Sequence, residues 1–393
     1  MDFTFPEDVR HFRSELRNFL DKAWPPDMRR FAMNDSVVRD LNSDPATSFK
    51  RALGRAGYLG IGLPQEYGGR PGGTLHRFVL QSELAAAGAP LNATAIGIVA
   101  PMLVRYGQES LTRQLVPGIT RGELDFALGY TESNAGSDLA SLQTQARLDG
   151  DRYVISGEKV FSTAAHIADY YWVAARTEKT DKKHQGISLF VVPLDAPGIS
   201  ISPLYTMSGI RTNVVHIDNV EVPVDHRVGD EGEGWRIIGE ALDGERFAVM
   251  MVAPVIRAYQ AVLEYCRCAT RAGKRLLDDH AVASELVVLH SAIVAAYLNS
   301  VGIAWGTDRG ESGSHDASAL KVEVTELRLA LSTFALDVLG THGQLTPEDK
   351  AAPAFGELER MYRHAVITLF TGGANAVQRD LIARHGLGLG RQM

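Results

Sequence analysis

Two stretches of the sequence hold residue types from which a reactive site could be built. The first, Thr131 to Asp138, reads Thr-Glu-Ser-Asn-Ala-Gly-Ser-Asp and gathers small, polar and turn-forming residues in one loop. Such a loop can bring backbone N–H groups close to a ligand, because glycine carries no side chain that would hold the ligand away. The same residues are common in ordinary turns, so the loop taken alone leaves that interpretation open.

The second stretch carries an acid, Glu245, in Leu242-Asp-Gly-Glu-Arg246. At helical spacing around Glu245 the sequence places only apolar residues, which are Ala241, Leu242, Ala248 and Val249. A carboxyl group on an apolar helix face loses solvation, which raises its pKa toward the range of a general base. The alternative is a structural ion pair, with Arg246 or with a neighbouring helix.

The sequence pattern divides the chain into three consecutive segments, whose elements must position these residues. Helical periodicity begins at Pro6 and continues through Gly- and Pro-punctuated segments until about residue 122. Short β-rich runs separated by turn clusters follow, and helical periodicity returns after Gly234. This order predicts separate helical and β layers and argues against a doubly wound α/β sheet.

Composition sets the class of protein. The 393 residues suggest two or three domains, and 45% hydrophobic with 22% charged residues is typical of a soluble globular chain. A net charge of −7 argues against nucleic acid as a main partner. The N-terminus fits neither a signal nor a transit peptide, and the apolar run from Val282 to Trp305 contains Glu285 and His290. We therefore expect a cytoplasmic protein in which this run is a buried core helix and no segment spans a membrane. The histidines lack the spacing of metal ligands, so no metal site is expected.

Five segments in order resemble the acyl-CoA dehydrogenase family over almost the whole chain. They are Thr131 to Asp138, Gly157-Glu-Lys-Val-Phe-Ser-Thr163, Asp218-Asn-Val-Glu-Val-Pro223, Arg363-His-Ala, and Gln378-Arg-Asp-Leu-Ile-Ala-Arg384. The first is similar to the flavin loop of the family, with Ser133 in place of a proline. The resemblance implies a multidomain α+β fold: an N-terminal helical domain (1–121), a middle antiparallel β-barrel domain (122–232) and a C-terminal four-helix bundle (233–393).

The resemblance also implies FAD as cofactor and assigns a set of flavin contacts. Thr131 would contact the flavin ring, Ser137 the phosphate side, and Phe161 would stand where the family has a tryptophan. A hydroxyl at Thr163 would reach the flavin near its hydride-accepting nitrogen. The cofactor-binding set expected from the resemblance is Tyr130, Thr131, Gly136, Ser137, Phe161, Ser162 and Thr163.

In the family a carboxylate removes the α-proton of an acyl-CoA thioester while the β-hydrogen leaves as hydride to the flavin, which gives a trans-2-enoyl-CoA. The usual base position holds Gly372 here, so the resemblance assigns the base to Glu245, as in the isovaleryl-CoA and long-chain types. The Gly372 N–H would bind the thioester oxygen, and Arg246 and Thr371 would contact substrate. With small residues at 371 and 372 we expect a branched or bulky acyl group, and electron-transferring flavoprotein as acceptor.

The sequence departs from the family pattern at positions where each subunit contacts the FAD of a neighbouring subunit, a set that we call the lent half-site. The altered positions are Ala269, Ala272, His280, Asp337 and Thr341, and the carboxylate of Asp337 would repel a pyrophosphate. The sequence therefore leaves two assemblies open: a heterotetramer with a related chain, as in the enzymes of steroid side-chain breakdown, or a homotetramer in which Arg271 restores the contact. A flavin oxidase or monooxygenase on the same scaffold and a non-catalytic companion subunit are the alternative functions.

Overall fold

The computed structural model describes residues 4–25, 28, 43–90, 93–249 and 252–390, without the side chains of 243–249, 314 and 355. The helices are α1 (Glu7–Ala23), α2 (Asp44–Arg55), α3 (Thr74–Ala86), α4 (Ala100–Tyr106), α5 (Glu109–Thr120), α6 (Gly234–Val249), α7 (Ala253–Cys268), α8 (His280–Asp308), α9 (Ser314–Leu339), α10 (Glu357–Thr368) and α11 (Asn375–Leu381). The strands of the large sheet are β1 (Phe126–Gly129), β2 (Gln145–Asp149), β3 (Arg152–Lys159), β4 (Tyr170–Arg176), β5 (Ile187–Pro193), β6 (Ile199–Tyr205), β7 (Arg211–Pro223) and β8 (Arg227–Val228).

The first five helices form the N-terminal layer. Helix α1 buries Val9, Phe12, Leu16 and Leu20, which recur every three or four residues and so occupy one face. Helix α2 begins after Ser43, whose side chain accepts from the backbone of the first turn. The helical periodicity expected from the sequence is thus realised as an amphipathic layer.

The middle region is one eight-stranded sheet. Its hydrogen-bonded order is β6-β7-β3-β2-β4-β5-β8, and β1 pairs with β4. Most neighbours are antiparallel, but β1 runs parallel to β4, with Phe126 opposite Tyr170. The parallel strand β1 leads directly into the Thr131 loop, while β3 delivers the segment that follows Lys159. The ladder is open at β6 and β8 among the described strands.

The C-terminal region is a bundle in which α9 packs against α8, α10 and α11. Helix α8 turns one apolar stripe to this core, made of Val282, Leu286, Leu289, Ile293 and Ala296, while its Ala304 packs in the core of the N-terminal helices. The buried core helix expected from the sequence is realised on this face alone, since 28% of the most apolar window of α8 is buried in the single chain. By length and composition alone, α8 is also the one described helix that could cross a membrane.

Helices of the bundle also meet the other two layers. Asp308, at the end of α8, accepts hydrogen bonds from Thr74 N at 2.5 Å and Leu75 N at 3.0 Å, and so caps the start of α3. The first half of α6 packs into the core shared by the N-terminal helices and the sheet. Both the sheet and the C-terminal bundle therefore contact the N-terminal helices.

Candidate functional site

The Thr131–Asp138 loop is fixed to strand β3 by a buried ion pair. Lys159 Nζ lies 2.8 Å from Glu132 Oε1 and donates to the main-chain oxygen of Tyr130 at 3.1 Å. The Lys159 side chain is fully buried. Because the Lys159 ammonium group is shielded from water, only protein atoms stabilise its charge, and a shift of the loop would separate this charge from Glu132. The pair therefore determines where the loop sits.

Glu132 binds on its other side to the start of β2. Its carboxylate accepts from Gln143 N at 2.6 Å, Thr144 N at 2.9 Å and Thr144 Oγ1 at 2.6 Å. Burial alone would raise the pKa of the Glu132 carboxyl, but Lys159 and these hydrogen bonds outweigh it and the pKa is lowered. Burial lowers the pKa of the Lys159 ammonium to about 8, against the opposing effect of Glu132. The family resemblance assigned no role to Glu132 or Lys159. The sequence alone does not show that Lys159 is buried, so it did not reveal this ion pair.

The outer part of the loop leaves backbone donors free. Among the described residues, the N–H groups of Gly136 and Ser137 donate no hydrogen bond, and both residues are exposed. Nothing lies within 4 Å of the place where a Cβ of Gly136 would stand. Two adjacent free amides in an open position suit an anionic group such as a pyrophosphate.

Phe161 and Thr163 lie next to the loop. Val160 N donates to the Thr131 main-chain oxygen at 2.9 Å, which joins the two segments. Phe161 has φ of +57°, an uncommon value for a bulky residue, and its ring is 59% exposed. Thr163 is exposed as well, and its Oγ1 makes only a long contact of 3.4 Å to Thr212. An aromatic ring held outward in a strained conformation fits contact with a planar ligand.

Tyr130 and Ser162 sit differently from the other residues of the set. Tyr130 is buried, and its hydroxyl accepts from Trp172 Nε1 at 2.8 Å. Ser162 is buried with its hydroxyl bonded to that of Tyr171, and its main-chain oxygen accepts from Asn213 Nδ2 at 2.8 Å. The structure does not turn these two side chains toward the exposed face of the loop, and they support the residues beside them.

The second loop, Leu369 to Asn375, follows α10 and carries Thr371 and Gly372. Gly372 and Gly373 have φ of +62° and +87°, in the left-handed region that glycine tolerates without a Cβ penalty. Asn375 N donates to Leu369 O at 2.9 Å and closes the loop. In the described part of the chain the N–H groups of Gly372 and Gly373 donate to no acceptor. This geometry suits Gly372 as a donor to a ligand oxygen.

A chain of contacts joins the two loops. Arg363, on α10, donates from Nη1 to the main-chain oxygen of Met207 at 2.9 Å. Past Met207 the chain enters β7, where Asn213 binds the main chain of Ser162 beside Phe161. The helix that ends in the Gly372 loop therefore contacts the sheet segment next to the candidate flavin loop.

Glu245 and Arg246 lie on α6, one turn before its end at Val249. Their side chains are outside the residues that the structure describes. One turn earlier, Ala241 is buried and Leu242 packs on the same apolar core. The backbone thus agrees with an acid that follows an apolar helix face, while the role of Glu245 stays a prediction.

Two of the altered positions, Asp337 and Thr341, lie at the end of α9, and Arg271 contacts this end of the helix. Arg271 Nη2 donates to the main-chain oxygens of Asp337 and Val338, each at 3.0 Å. Ala272 has φ of +52°, and Ala272, His280, Asp337 and Thr341 are exposed while Ala269 is partly buried. Arg271 is therefore committed in part to carbonyl oxygens of its own chain.

These features fit the groups that a bound FAD would present. Free amides at Gly136 and Ser137 suit its pyrophosphate, and the exposed ring of Phe161 suits its isoalloxazine. Thr131, at the start of the same loop, has a hydroxyl without a partner among the described residues. These residue types suit the groups that FAD would present.

Comparison with known proteins covers the whole chain. Family profiles match at residues 6–123 (acyl-CoA dehydrogenase, N-terminal domain), 127–220 (middle domain) and 232–387 (C-terminal domain). Acyl-CoA dehydrogenase FadE26 of Mycobacterium tuberculosis is 36% identical, over 100% of this chain and 99% of that protein. FadE29 of the same organism is 33% identical over 97% of this chain and 96% of its own length.

Solved structures agree with the sequence matches. The ChsE4–ChsE5 complex from Mycobacterium tuberculosis contains a chain with a TM-score of 0.90 and 36% identity, covering 100% of both chains. The Tcur3481–Tcur3483 steroid ACAD contains one with a TM-score of 0.91 and 34% identity, again over 100% of both. The predicted helical, β and helical architecture is confirmed, and this chain is a member of the acyl-CoA dehydrogenase family.

Proposed function

We propose that this chain catalyses the FAD-dependent α,β-dehydrogenation of an acyl-CoA thioester to a trans-2-enoyl-CoA. The observation that carries the proposal is the pair of loops with unbonded backbone amides, one at Gly136 and Ser137 and the other at Gly372. Contacts from α10 through Met207 to β7 join them. A cofactor loop and a thioester loop are the two parts that this reaction needs.

The protein's own groups divide the work. The Gly372 N–H would donate to the thioester oxygen, which stabilises the negative charge that develops there when the α-proton leaves. Glu245 would accept that proton. FAD, when bound, supplies the acceptor for the β-hydrogen. Gly136, Ser137 and Thr131 would orient the cofactor, Phe161 and Thr163 would border its ring, and Arg246 and Thr371 would contact substrate.

The acyl group is proposed to be branched or bulky. Gly372 has no side chain, and Thr371 is exposed with its hydroxyl turned to Ile367 O at 3.3 Å. The loop therefore places little side-chain volume beside the thioester position. The structural relative named above as a steroid ACAD accords with such a substrate.

A tetramer with a related chain is the proposed assembly, with electron-transferring flavoprotein as acceptor. Helix α8 presents an exposed stripe, here called the α8 stripe, formed by Val287, Ser291, Val294, Leu298, Gly302 and Trp305. A charge-free face of this length favours burial against another helix. Because the lent half-site carries Asp337 and Arg271 is bound to its own chain, the proposal favours a partner chain that differs from this one.

Turnover of a panel of acyl-CoA thioesters tests the proposal. The chain is expressed alone and with a candidate partner, and reduction of an artificial electron acceptor is followed together with formation of the enoyl product. Product from bulky or branched thioesters supports it. Turnover confined to short straight-chain thioesters contradicts the assignment of the acyl group, and rapid oxygen consumption without enoyl product points to an oxidase.

A further inference from the structure

The Leu369–Asn375 loop is attached to the bundle core through one buried lysine. Lys321, on α9, is fully buried. Its Nζ donates to Asn375 Oδ1 at 2.5 Å and to Leu369 O at 3.2 Å. These two acceptors belong to the first and last residues of the loop. A single ammonium group therefore contacts both ends of the segment that presents Gly372.

The end of the loop is fixed further by the neighbours of Lys321 on α9. Asn375 Nδ2 donates to Thr325 Oγ1 at 3.1 Å and to Glu326 Oε1 at 3.2 Å. Glu326 in turn pairs with Arg379 at 2.6 Å. Asn375 thus has both its amide oxygen and its amide nitrogen engaged, and it holds the start of α11 against α9.

The opposite side of the loop is confined by Gln378. Its side chain is fully buried, and its Nε2 would stand 2.2 Å from a Cβ placed on Gly373. A side chain at position 373 would therefore collide with Gln378, while the loop itself is held by the contacts at its two ends. Of these, the contacts with Lys321 are charge-assisted, which makes them stronger than bonds between neutral groups.

We propose that Lys321 is a positioning residue whose ammonium group fixes both ends of the Leu369–Asn375 loop and so sets the direction of the Gly372 N–H. The catalytic meaning of that direction rests on the proposed function. The attachment itself does not, because it is defined by contacts inside the chain. A lysine is suited to this task, since one charged nitrogen can donate to a carbonyl and to an amide oxygen at once.

The test compares Lys321→Met with Lys159→Met. Both lysines are fully buried, and methionine keeps most of the apolar stem in each case. Lys159 holds the flavin loop, so the two variants should damage different halves of the site. Asn375→Ala removes one acceptor of Lys321 without touching the core lysine, and it serves if Lys321→Met does not fold.

Hydrogen exchange of the holoprotein is the first measurement, with mass spectrometry of peptides that cover 369–376 and 131–138. In Lys321→Met and in Asn375→Ala we expect the main-chain amide of residue 375 to exchange at least about 10-fold faster, while 131–138 and the FAD content stay unchanged. Lys159→Met should show the reverse. Unchanged exchange at 369–376 in both single variants would overturn the proposal.

Kinetics separates positioning from a merely structural role. With an acyl-CoA that the wild type oxidises, we expect kcat of Lys321→Met to fall about 10- to 100-fold while KM changes little, since misplacement of a donor acts in the transition state. A comparable rise in KM with unchanged kcat would contradict the proposal that Lys321 positions Gly372. Should the wild-type protein oxidise no thioester, the proposed function fails, and the exchange data still decide the attachment.

Discussion

Arg271 donates from its guanidinium Nη2 to the main-chain oxygen of Asp337 at 3.0 Å. Within one chain, the arginine that could restore the contact with a neighbour's FAD therefore lies beside the residue whose carboxylate would repel the pyrophosphate. A second bond from the same nitrogen to Val338 O ties the arginine to the end of α9. Cations at a helix C-terminus are stabilised by the carbonyl groups there. The arginine is thus engaged within its own chain, next to a residue that would repel a neighbour's pyrophosphate.

Flavin occupancy should depend on the partner chain. Expressed alone, the protein is expected to purify with well under one FAD per chain, whereas co-expression with a related chain that carries the missing contacts should raise the ratio. Visible absorbance and protein mass on the sized species measure it. Asp337→Gln should raise the FAD content of the chain expressed alone, because a carboxylate is removed from the cofactor's surroundings. Full occupancy in a tetramer of this chain alone would establish the homotetramer instead.

Glu245→Gln should lower the rate of enoyl-CoA formation by about 100- to 10,000-fold, since an amide cannot accept the α-proton. FAD content and thermal stability should stay near the wild-type values. Glu240→Gln is the matched control on the same helix, because Glu240 pairs with Arg105 at 2.9 Å and has no role in the proposed reaction. Undiminished turnover in Glu245→Gln would refute the assignment of the base.

Breaking the buried ion pair between Glu132 and Lys159 should weaken FAD binding before it unfolds the protein. In Glu132→Gln the Lys159 ammonium keeps a hydrogen-bond acceptor but loses its counter-charge, 2.8 Å away. We expect weaker FAD binding to the apoprotein by at least about 10-fold, a change equivalent to roughly 1.4 kcal/mol. Fluorescence titration with FAD measures it. Glu221→Gln, which changes an exposed acid of strand β7 that pairs with Arg152 at 3.0 Å, is the control and should leave the affinity unchanged.

His364 should make the protein less stable in mild acid. Burial, together with the smaller effect of the nearby charges of Arg328 and Arg360, lowers the pKa of its imidazole from 6.5 to about 4. Between these values the unfolded chain binds a proton that the folded chain does not, so stability is complete above pH 6.5 and falls as the pH drops toward 4. The full effect corresponds to about 3 kcal/mol.

The variant His364→Gln should flatten this dependence. We expect a smaller difference in Tm between pH 7.5 and pH 5 than in the wild type, measured by differential scanning calorimetry. The exposed His280→Gln is the control and should keep the wild-type slope. An identical slope in His364→Gln would show that other groups cause the acid sensitivity.

Charge on the α8 stripe should dissociate the assembly. Val294 and Leu298 are 43% and 42% exposed in the single chain, one turn apart on α8. Val294→Glu with Leu298→Glu would place two acids in an apolar contact, and we expect a shift to smaller species by light scattering after size exclusion. Leu148→Glu alters an exposed leucine of strand β2 and should leave the mass unchanged. A tetramer that survives the double change would exclude the stripe as a contact.

The order of regimes in the sequence was enough to predict the architecture. Helical periodicity, short β-rich runs and returning helical periodicity are local properties, and each was realised as a layer of the fold. The Thr131–Asp138 loop was likewise found from residue types, because glycines and small polar residues mark loops that can offer backbone donors, whereas Gly372 was found through the family resemblance. The sequence did not reveal that Tyr130 and Ser162 are turned inward, since side-chain direction in a loop depends on partners such as Trp172 and Tyr171.

The sequence by itself determined the layers and marked the Thr131–Asp138 loop, because these follow from residue types and their order along the chain. The family resemblance indicated Gly372 and the altered positions. Only the tertiary structure decided which buried groups hold the loops. Lys159 reaches Glu132 across 27 positions of sequence, and Lys321 reaches Asn375 across 54. A lysine reads as a surface residue in any sequence pattern, and its burial becomes visible only when packing has removed water and supplied the oxygen atoms that solvate its charge.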